Sequence, residues 1–246
     1  LSCFKAASIG QTFAMKSEKK ELKCIDKDIS DLVKTRFKNK CGIIYCLSRK
    51  DCEQLAETLK HTYKVKCDYY HAELAHSKRS EIQSKWMKDE IQIIIATIAF
   101  GMGINKRDVR FVIHYSIPKS LEGYVQECGR SGRDSLKAEC ILYYSYNDRK
   151  RNDFFIVTNH DNTKNRKNEN LHALYSILEY CEELSFVGKD LVKFLGEEFE
   201  EKHCNKMCDN CKLGVKVYNR DVTKEAKVLL EIIQDFEDGR ANLTTN

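Results

Sequence analysis

Residues 41–47 have the sequence Cys-Gly-Ile-Ile-Tyr-Cys-Leu, an unbroken apolar run of strand length. A run without polar alternation is typical of a strand that is covered on both faces. Ser48 follows it and can cap a helix whose apolar residues, at positions 52 to 59, recur on one side. This stretch therefore predicts a buried strand that leads directly into an amphipathic helix.

The alternation of strand and helix recurs through the first part of the chain. Further strands are predicted at residues 65–70, 91–96, 110–115 and 139–144, further helices at residues 25–37 and 76–88, and a lead-in strand or linker within residues 1–24. Strands that alternate with helices imply right-handed crossovers and a parallel sheet with helices on both faces. We therefore predict a doubly wound α/β fold, in which ligands bind beyond the carboxyl ends of the strands.

The composition is that of a globular protein. The chain has 246 residues, of which 42% are hydrophobic and 32% charged, and its length predicts one or two domains. No apolar run is long enough to span a bilayer. The net charge of +5 mildly favours an anionic partner. Because the chain begins at Leu1 without an initiator methionine, we interpret it as an excised fragment.

Two loops at predicted carboxyl ends carry groups that suit phosphate. Ser48-Arg49-Lys50 follows the first strand, and Thr97–Lys106 follows the strand at residues 91–96. In the second loop, Gly101 and Gly103 leave backbone amides accessible to phosphate oxygens. A tight turn without any chemistry would have the same residues, so both interpretations remain open.

Residues 120–134, Ser-Leu-Glu-Gly-Tyr-Val-Gln-Glu-Cys-Gly-Arg-Ser-Gly-Arg-Asp, carry one amide and two guanidinium groups at helical spacing. If the segment is helical up to its glycines, Gln126, Arg130 and Arg133 share a common face at i, i+4 and i+7. Such a face suits a polyphosphate. Two arginines alone are more typical of a solvated basic helix end.

The composition shifts past residue 146, and we place a domain boundary near residue 150. Residues 147–170 are crowded with polar and charged side chains, and helical periodicity returns from Leu171. Further helices are predicted at Lys189–Leu195 and Asp221–Phe236.

Three cysteines near the end of the chain have the spacing of a metal site. Cys204, Cys208 and Cys211 form the pattern C-x3-C-x2-C, and soft thiolates that converge on one ion in a tetrahedral site select zinc. The fourth ligand is open between Cys181 and His203. We interpret the site as structural, because bound zinc can hold a small helical hairpin together.

An ordered series of motifs connects the chain to a known family. The motifs are Gly42-Ile43-Ile44-Tyr45-Cys46, Tyr69-Tyr70-His71-Ala72, Ala96-Thr97-Ile98-Ala99-Phe100-Gly101-Met102-Gly103-Ile104, Asp108-Val109-Arg110-Phe111-Val112-Ile113-His114-Tyr115, Gln126-Glu127-Cys128-Gly129-Arg130-Ser131-Gly132-Arg133-Asp134 and Cys208-Asp209-Asn210-Cys211. With them the chain resembles the RecQ DNA helicases over almost its whole length. The resemblance implies a RecA-like motor lobe at residues 1–150, a helical zinc-binding subdomain at residues 151–216 and the start of a winged-helix module at residues 217–246.

The resemblance also implies roles for individual residues. Arg130 and Arg133 belong to helicase motif VI and are expected to reach ATP phosphates across an interlobe cleft, with Gln126 in the same catalytic set. Gly103 and Asn105, in motif V, are expected to bind the nucleotide with these arginines.

Contacts with DNA and with zinc complete the expected sites. The DNA-contacting set comprises Ser48 and Arg49 in the motif IV region, Thr97 at the start of motif V, and His71. The zinc set comprises Cys181, Cys204, Cys208 and Cys211.

Two departures from the family pattern bear on these expectations. Asn105 stands where the family usually has aspartate, and its amide can still hydrogen-bond a ribose hydroxyl but carries no charge. The first zinc cysteine of the family aligns near Phe186, and Cys181 precedes that point by roughly 8 Å of helical rise.

The sequence has no G-x-x-x-x-G-K-[ST] phosphate loop. We therefore expect that ATP with Mg²⁺ is bound mainly by an upstream RecA-like lobe, and that this chain alone hydrolyses no ATP. The expected partners are DNA and that lobe, with no membrane. The resemblance further implies 3′-to-5′ translocation, roles in DNA recombination and repair, and a nuclear location.

Two other classes of protein compete with this interpretation. One is a non-catalytic DNA-binding module of a degenerate helicase homologue, which the paired motif VI arginines disfavour. The other is an RNA helicase lobe with the same core, which the cysteine hairpin disfavours.

Overall fold

The structure, a computed structural model, describes residues 7–14, 22–100, 105–158, 163–182 and 220–237. Within these ranges the strands are β1 (Ala7–Ala14), β2 (Gly42–Tyr45), β3 (Cys67–Tyr70), β4 (Ile93–Ala96), β5 (Phe111–His114) and β6 (Ala138–Tyr144). The helices are α1 (Leu22–Lys34), α2 (Arg49–Glu57, continued by a π-helical turn at Thr58–Thr62), α3 (His76–Met87), α4 (Leu121–Cys128), α5 (Tyr146–Thr158), α6 (Lys164–Glu182) and α7 (Thr223–Glu237). No helix of the described ranges is long and apolar enough to cross a bilayer.

The strands form one six-stranded sheet in the order β1-β6-β5-β2-β4-β3. Every neighbouring pair is parallel, and β2 lies between β4 and β5. The predicted doubly wound sheet is confirmed. The lead-in segment supplies the edge strand β1, which pairs with β6.

Helices cover both faces of the sheet because alternate strand residues point to opposite sides. Ile43 and Tyr45 of β2 belong to a core cluster that contains side chains of α3, α4 and α6. Ile44 and Cys46 belong to a second cluster with α1 and α2. All residues of β2, β4 and β5 are buried, as the unbroken apolar run predicts.

Gly42 begins β2 where the backbone lies against the ring of Phe111. A Cβ at this position would lie 2.1 Å from ring carbons of Phe111. That ring is fully buried and stacks on Phe37 with centroids 4.3 Å apart, so it has no space to move into.

We expect Gly42→Ala to lower the free energy of unfolding by about 1–3 kcal/mol, because the added methyl group overpacks this core. Urea denaturation followed by circular dichroism measures the change. Gly123→Ala is the control, since its Cβ would meet only the Ser120 Oγ, at 3.3 Å. An unfolding midpoint unchanged by Gly42→Ala would contradict the expectation.

The chain divides into two compact units, Leu1–Gly214 and Val215–Asn246. In the first unit, α6 buries Leu174, Ile177 and Leu178 in the same core cluster as the sheet. Residues past position 150 thus share the core of the lobe, whereas the sequence places a domain boundary there. In the second unit, α7 covers most of the helix predicted at Asp221–Phe236. The helix predicted at Lys189–Leu195 lies outside the described residues.

Candidate functional site

A cleft of about 600 Å³ opens beyond the carboxyl ends of β2 and β4. Its lining residues are Leu47, Ser48, Arg49, Ala72, Thr97, Ile98, Ala99, Lys119, Phe155 and Thr158. Three residues of the expected DNA-contacting set, Ser48, Arg49 and Thr97, therefore come together at one place. The parallel sheet explains this, because successive carboxyl ends lie at the same edge.

Ser48 is held by the first turn of α2. Its Oγ accepts a hydrogen bond from the Asp51 backbone N–H at 3.1 Å, and its own N–H donates to the Asp51 carboxylate at 3.2 Å. This reciprocal pair is a capping box. The hydroxyl proton of Ser48 is not used by this cap, so it remains a donor for an anionic oxygen in the cleft.

Arg49 and Thr97 both present polar groups to this cleft. Arg49 forms an ion pair with Glu73, and both side chains are more than half exposed. An exposed pair of this kind contributes at most about 1 kcal/mol, so a phosphate can replace Glu73 at little cost. The Thr97 Oγ1 accepts a hydrogen bond from the Ala99 N–H at 3.4 Å, which leaves its proton to donate.

His71 lies differently from the other expected DNA contacts. Its side chain is buried, with 3% of its surface exposed, and its Nε2 lies 3.0 Å from the Glu53 carboxylate. The ring also stacks on Tyr69 with centroids 5.6 Å apart. A ring that is enclosed in this way does not offer a surface to a DNA strand, so we assign His71 a structural role next to the cleft.

The motif VI segment is helical only as far as Cys128, since Gly129 caps the C-terminus of α4. The common helical face expected for Gln126, Arg130 and Arg133 is therefore not formed. Gln126 lies on α4 and donates to Glu122 at 3.1 Å. Both arginines follow in turns, which place Arg130 half-buried and Arg133 exposed.

Arg130 is directed towards the motif V loop. Its guanidinium hydrogen-bonds the Tyr45 hydroxyl, and this hydroxyl donates to the Phe100 carbonyl at 3.0 Å. Burial raises the pKa of Tyr45, with Arg130 opposing the shift, so the phenol stays protonated and can donate. Gly103 lies outside the described residues, and Asn105 is exposed just beyond that gap.

Arg133 is exposed because the chain turns sharply beside it. Gly132 has φ +65°, and a Cβ there would lie 3.1 Å from the Leu136 carbonyl oxygen, so only glycine fits without strain. The Arg133 Nε donates to the Gly129 carbonyl at 3.3 Å. This bond orients the start of the guanidinium while the side chain faces solvent.

Arg110 anchors the end of this segment, a role that the sequence did not reveal. Its Nη2 donates to both oxygens of the Asp134 carboxylate at 2.6 Å, although the two residues are 24 positions apart. The hydrogen bond from Arg110 lowers the pKa of Asp134. The only sequence signal is that Arg110 precedes a buried strand within a quoted motif, and this says nothing about its partner.

A buried histidine–carboxylate pair joins α4 to β5, and the sequence did not predict this contact either. The His114 Nε2 lies 2.7 Å from the Glu127 carboxylate, and both side chains are buried. Since Glu127 immediately precedes the helix end, this contact fixes the place from which Arg130 and Arg133 emerge.

The start of α5 is tied to the cleft through charged groups. Burial raises the pKa of Asp148 to about 6, although Arg151 and the backbone N–H groups of Ile117 and Ser145 oppose the shift. Arg151 donates two hydrogen bonds to Asp51, at 2.8 and 3.1 Å. The helix α5 is thereby fastened to the capping box that holds Ser48.

Only Cys181 of the expected zinc set lies in the described part of the chain. It is buried in the core cluster formed by α4, α6 and the sheet. Cys204, Cys208, Cys211 and the alternative ligand His203 lie outside the described residues. Within the described ranges no three metal-ligating side chains come together.

Two family models match this chain. The helicase conserved C-terminal domain matches residues 24–135, and the RecQ zinc-binding model matches residues 146–212. Together they cover strands β2 to β5, the residues that line the cleft, and the cysteine cluster.

Curated relatives are similar over most of the chain. ATP-dependent helicase SGS1 of Saccharomyces cerevisiae is 41% identical over 219 residues, which are 88% of this chain and 15% of that protein. RecQ-like DNA helicase BLM of Xenopus laevis is 42% identical over 88% of this chain and 16% of that protein. Putative ATP-dependent DNA helicase Q1 of Caenorhabditis briggsae is 41% identical over 92% of this chain and 36% of that protein. The chain thus spans 15% to 36% of the length of these relatives.

Solved structures share the fold. The E. coli DEAD-box protein SrmB, bound to regulator of ribonuclease activity A, has a TM-score of 0.51 and 22% identity over 57% of this chain and 79% of that chain. Domain 2 of the DEAD-box helicase Mss116p, bound to an RNA duplex, has a TM-score of 0.51 and 17% identity over 81% of this chain and 84% of that chain. At these identities the likeness shows a RecA-like fold and nothing further.

Proposed function

The chain belongs to the RecQ family of helicases, and we propose that it forms the second motor lobe and the zinc-binding region of an ATP-dependent DNA helicase. One observation carries the proposal. Ser48 and Arg49 from the motif IV region and Thr97 from motif V, all expected to contact DNA, line a single cleft at the carboxyl edge of the sheet.

The arginines of motif VI have different parts in this proposal. Arg133 is exposed, so it reaches across to ATP phosphates on an upstream lobe and stabilises charge on the transferring phosphoryl group. Arg130 holds the motif V loop through Tyr45 and completes the same catalytic set. Gln126 and Asn105, both exposed, contribute neutral amide groups to the nucleotide, and Gly103 is proposed to bind the nucleotide with them.

ATP with Mg²⁺ supplies the phosphoryl group whose hydrolysis drives the motor, and both are held mainly by the upstream lobe. The present chain contributes orientation and charge stabilisation from its own side chains. We therefore propose that the chain by itself is inactive as an ATPase. Translocation from 3′ to 5′, action in recombination and repair, and a nuclear location belong to the same proposal and rest on the family.

A structural zinc ion suits the donor set near the end of the chain. Cys204, Cys208 and Cys211 offer three thiolates at short spacing, a set that binds zinc in preference to harder ions. We propose Cys181 as the fourth ligand, with His203 as the alternative. Cys181 ends the buried part of α6, so coordination there would join the cysteine cluster to the core of the lobe.

The DNA-binding part of the proposal is tested with the chain as it stands. We expect Arg49→Ala to weaken binding of a fluorescein-labelled oligo(dT) strand severalfold. The slope of log K against log salt should fall in magnitude by about 0.7, because one phosphate contact is lost. Fluorescence anisotropy at several salt concentrations measures both quantities.

Lys50→Ala is the matched control, since Lys50 carries the same charge on the next residue but does not line the cleft. Equal losses in the two variants would mean that general basicity, and not the cleft, attracts the strand. That result would remove the cleft from the proposed DNA path.

A further inference from the structure

The helix α5 supplies one wall of the cleft, and this wall has a feature that the motif assignments leave unexplained. Phe155 and Thr158 line the cleft, and both follow Arg151 on the same face of the helix, at i+4 and i+7. The Phe155 side chain is 47% exposed. A half-exposed phenylalanine in an open cleft leaves an apolar ring face uncovered.

The helix that carries this ring is anchored next to the cleft. Arg151 forms two hydrogen bonds with Asp51, whose carboxylate also receives the Ser48 N–H. Nearer the start of α5, Asn152 is buried, and its side-chain amide donates to the Asp148 carbonyl at 3.0 Å. Phe155 therefore lies one helical turn beyond a charged anchor on the same helix face.

The surroundings of the ring are cationic and rich in hydroxyl groups. Lys119 and Arg49 line the same cleft, together with Thr97 and Thr158. Among the described residues, Glu73 is the acidic group that pairs with one of these cations, in its exposed pair with Arg49. An aromatic face beside a track of cations and hydroxyl donors is the combination that binds single-stranded nucleic acid.

We propose that Phe155 is a stacking platform for one base of a single DNA strand, and that Lys119 binds the backbone of that strand. The inference rests on the proposed DNA-binding function. It adds a DNA contact from α5, which lies in the part of the chain that matches the RecQ zinc-binding family, to the contacts expected from the helicase motifs. The platform favours a single strand, since bases in a duplex are stacked on one another and present only their edges.

Binding of two oligonucleotides to the 246-residue chain tests this. Phe155→Ala is expected to weaken binding of oligo(dT) by roughly fivefold to a hundredfold, the usual loss for one stacked base. Binding of an abasic strand of the same length, which has the phosphates but no bases, should be unchanged by this substitution. Phe155→Tyr should restore the binding of oligo(dT), because it keeps the ring.

Two further variants separate stacking from other effects. Tyr175→Ala removes an aromatic ring of α6 that is 41% exposed and does not line the cleft, so it should leave both affinities unchanged. Lys119→Ala should weaken binding of both strands by the same factor, since it contacts the backbone.

The results distinguish this inference from the function it rests on. If Arg49→Ala weakens oligo(dT) binding and Phe155→Ala does not, the cleft binds DNA without the platform and the inference is wrong. Equal weakening of oligo(dT) and of the abasic strand by Phe155→Ala would assign Phe155 to packing against another segment. A wild-type chain that binds neither strand would overturn the DNA-binding proposal together with the platform.

Discussion

Arg133→Ala is expected to lower the DNA-stimulated ATPase rate by about 10³- to 10⁵-fold when this chain is joined to the upstream lobe of its protein. An arginine finger acts by placing positive charge where negative charge develops on the phosphoryl group. Arg133 is the exposed arginine of motif VI, so its loss removes that charge without opening the core. The measurement is a coupled ATPase assay with saturating single-stranded DNA.

Arg166→Ala is the matched control, because Arg166 is an exposed arginine on α6 outside the proposed site. Its ATPase rate should equal that of the unmodified protein. Affinity for ATP should change little in Arg133→Ala, because the upstream lobe holds most of the nucleotide. A rate within tenfold of the unmodified protein would rule out Arg133 as the finger.

The same assay on the 246-residue chain alone should show no turnover, since no phosphate-loop motif occurs in its sequence. Turnover by the chain alone that disappears in Arg133→Ala would contradict this expectation. It would mean that this chain by itself forms a complete nucleotide-binding site.

Cys208→Ser should release zinc from the chain and unfold the region around the cysteine cluster. A structural zinc site contributes on the order of 10 kcal/mol to the folding of a small domain, far more than a hairpin of this size gains from its own core. We expect about one zinc per chain in the unmodified protein and none in the variant, measured by elemental analysis after dialysis without chelator.

Cys41→Ala is the control, because Cys41 is a buried cysteine that precedes β2 and does not belong to the cysteine cluster. This variant should retain its zinc. Less than about half a zinc per chain in the unmodified protein would reject the site. The fourth ligand is assigned by comparing Cys181→Ser with His203→Ala. Loss of zinc in the first variant alone supports Cys181, and loss in the second alone assigns the position to His203.

The strands and helices of the lobe were predictable from residues 41–47 and the segments like them. A strand that is covered on both faces has apolar side chains at nearly every position. The burial of β2, β4 and β5 could therefore be predicted from their residues alone. The order of the motifs along the chain was sufficient to identify the family, because each motif is a short run of residues that can be recognised without knowing its tertiary contacts.

The arrangement of the site was less predictable. Helical spacing suggested a shared face for Gln126, Arg130 and Arg133, but α4 ends at Cys128 and the two arginines separate into a half-buried and an exposed one. His71 belongs to a quoted motif, yet its ring is enclosed against Glu53. In both cases the packing of neighbouring elements overrides the local pattern.

The sequence alone was therefore sufficient for the parallel sheet, the family and the residue types at the carboxyl edge, because these depend on local periodicity and on motif order. Only the tertiary structure decided that Arg110 holds Asp134, that Arg151 fastens α5 to the cap of Ser48, and that Phe155 thereby faces the cleft. Arg110 and Arg151 pair with residues 24 and 100 positions away. Such partners are chosen by the folded backbone, which brings distant charges within hydrogen-bond reach, and no spacing along the chain encodes that choice.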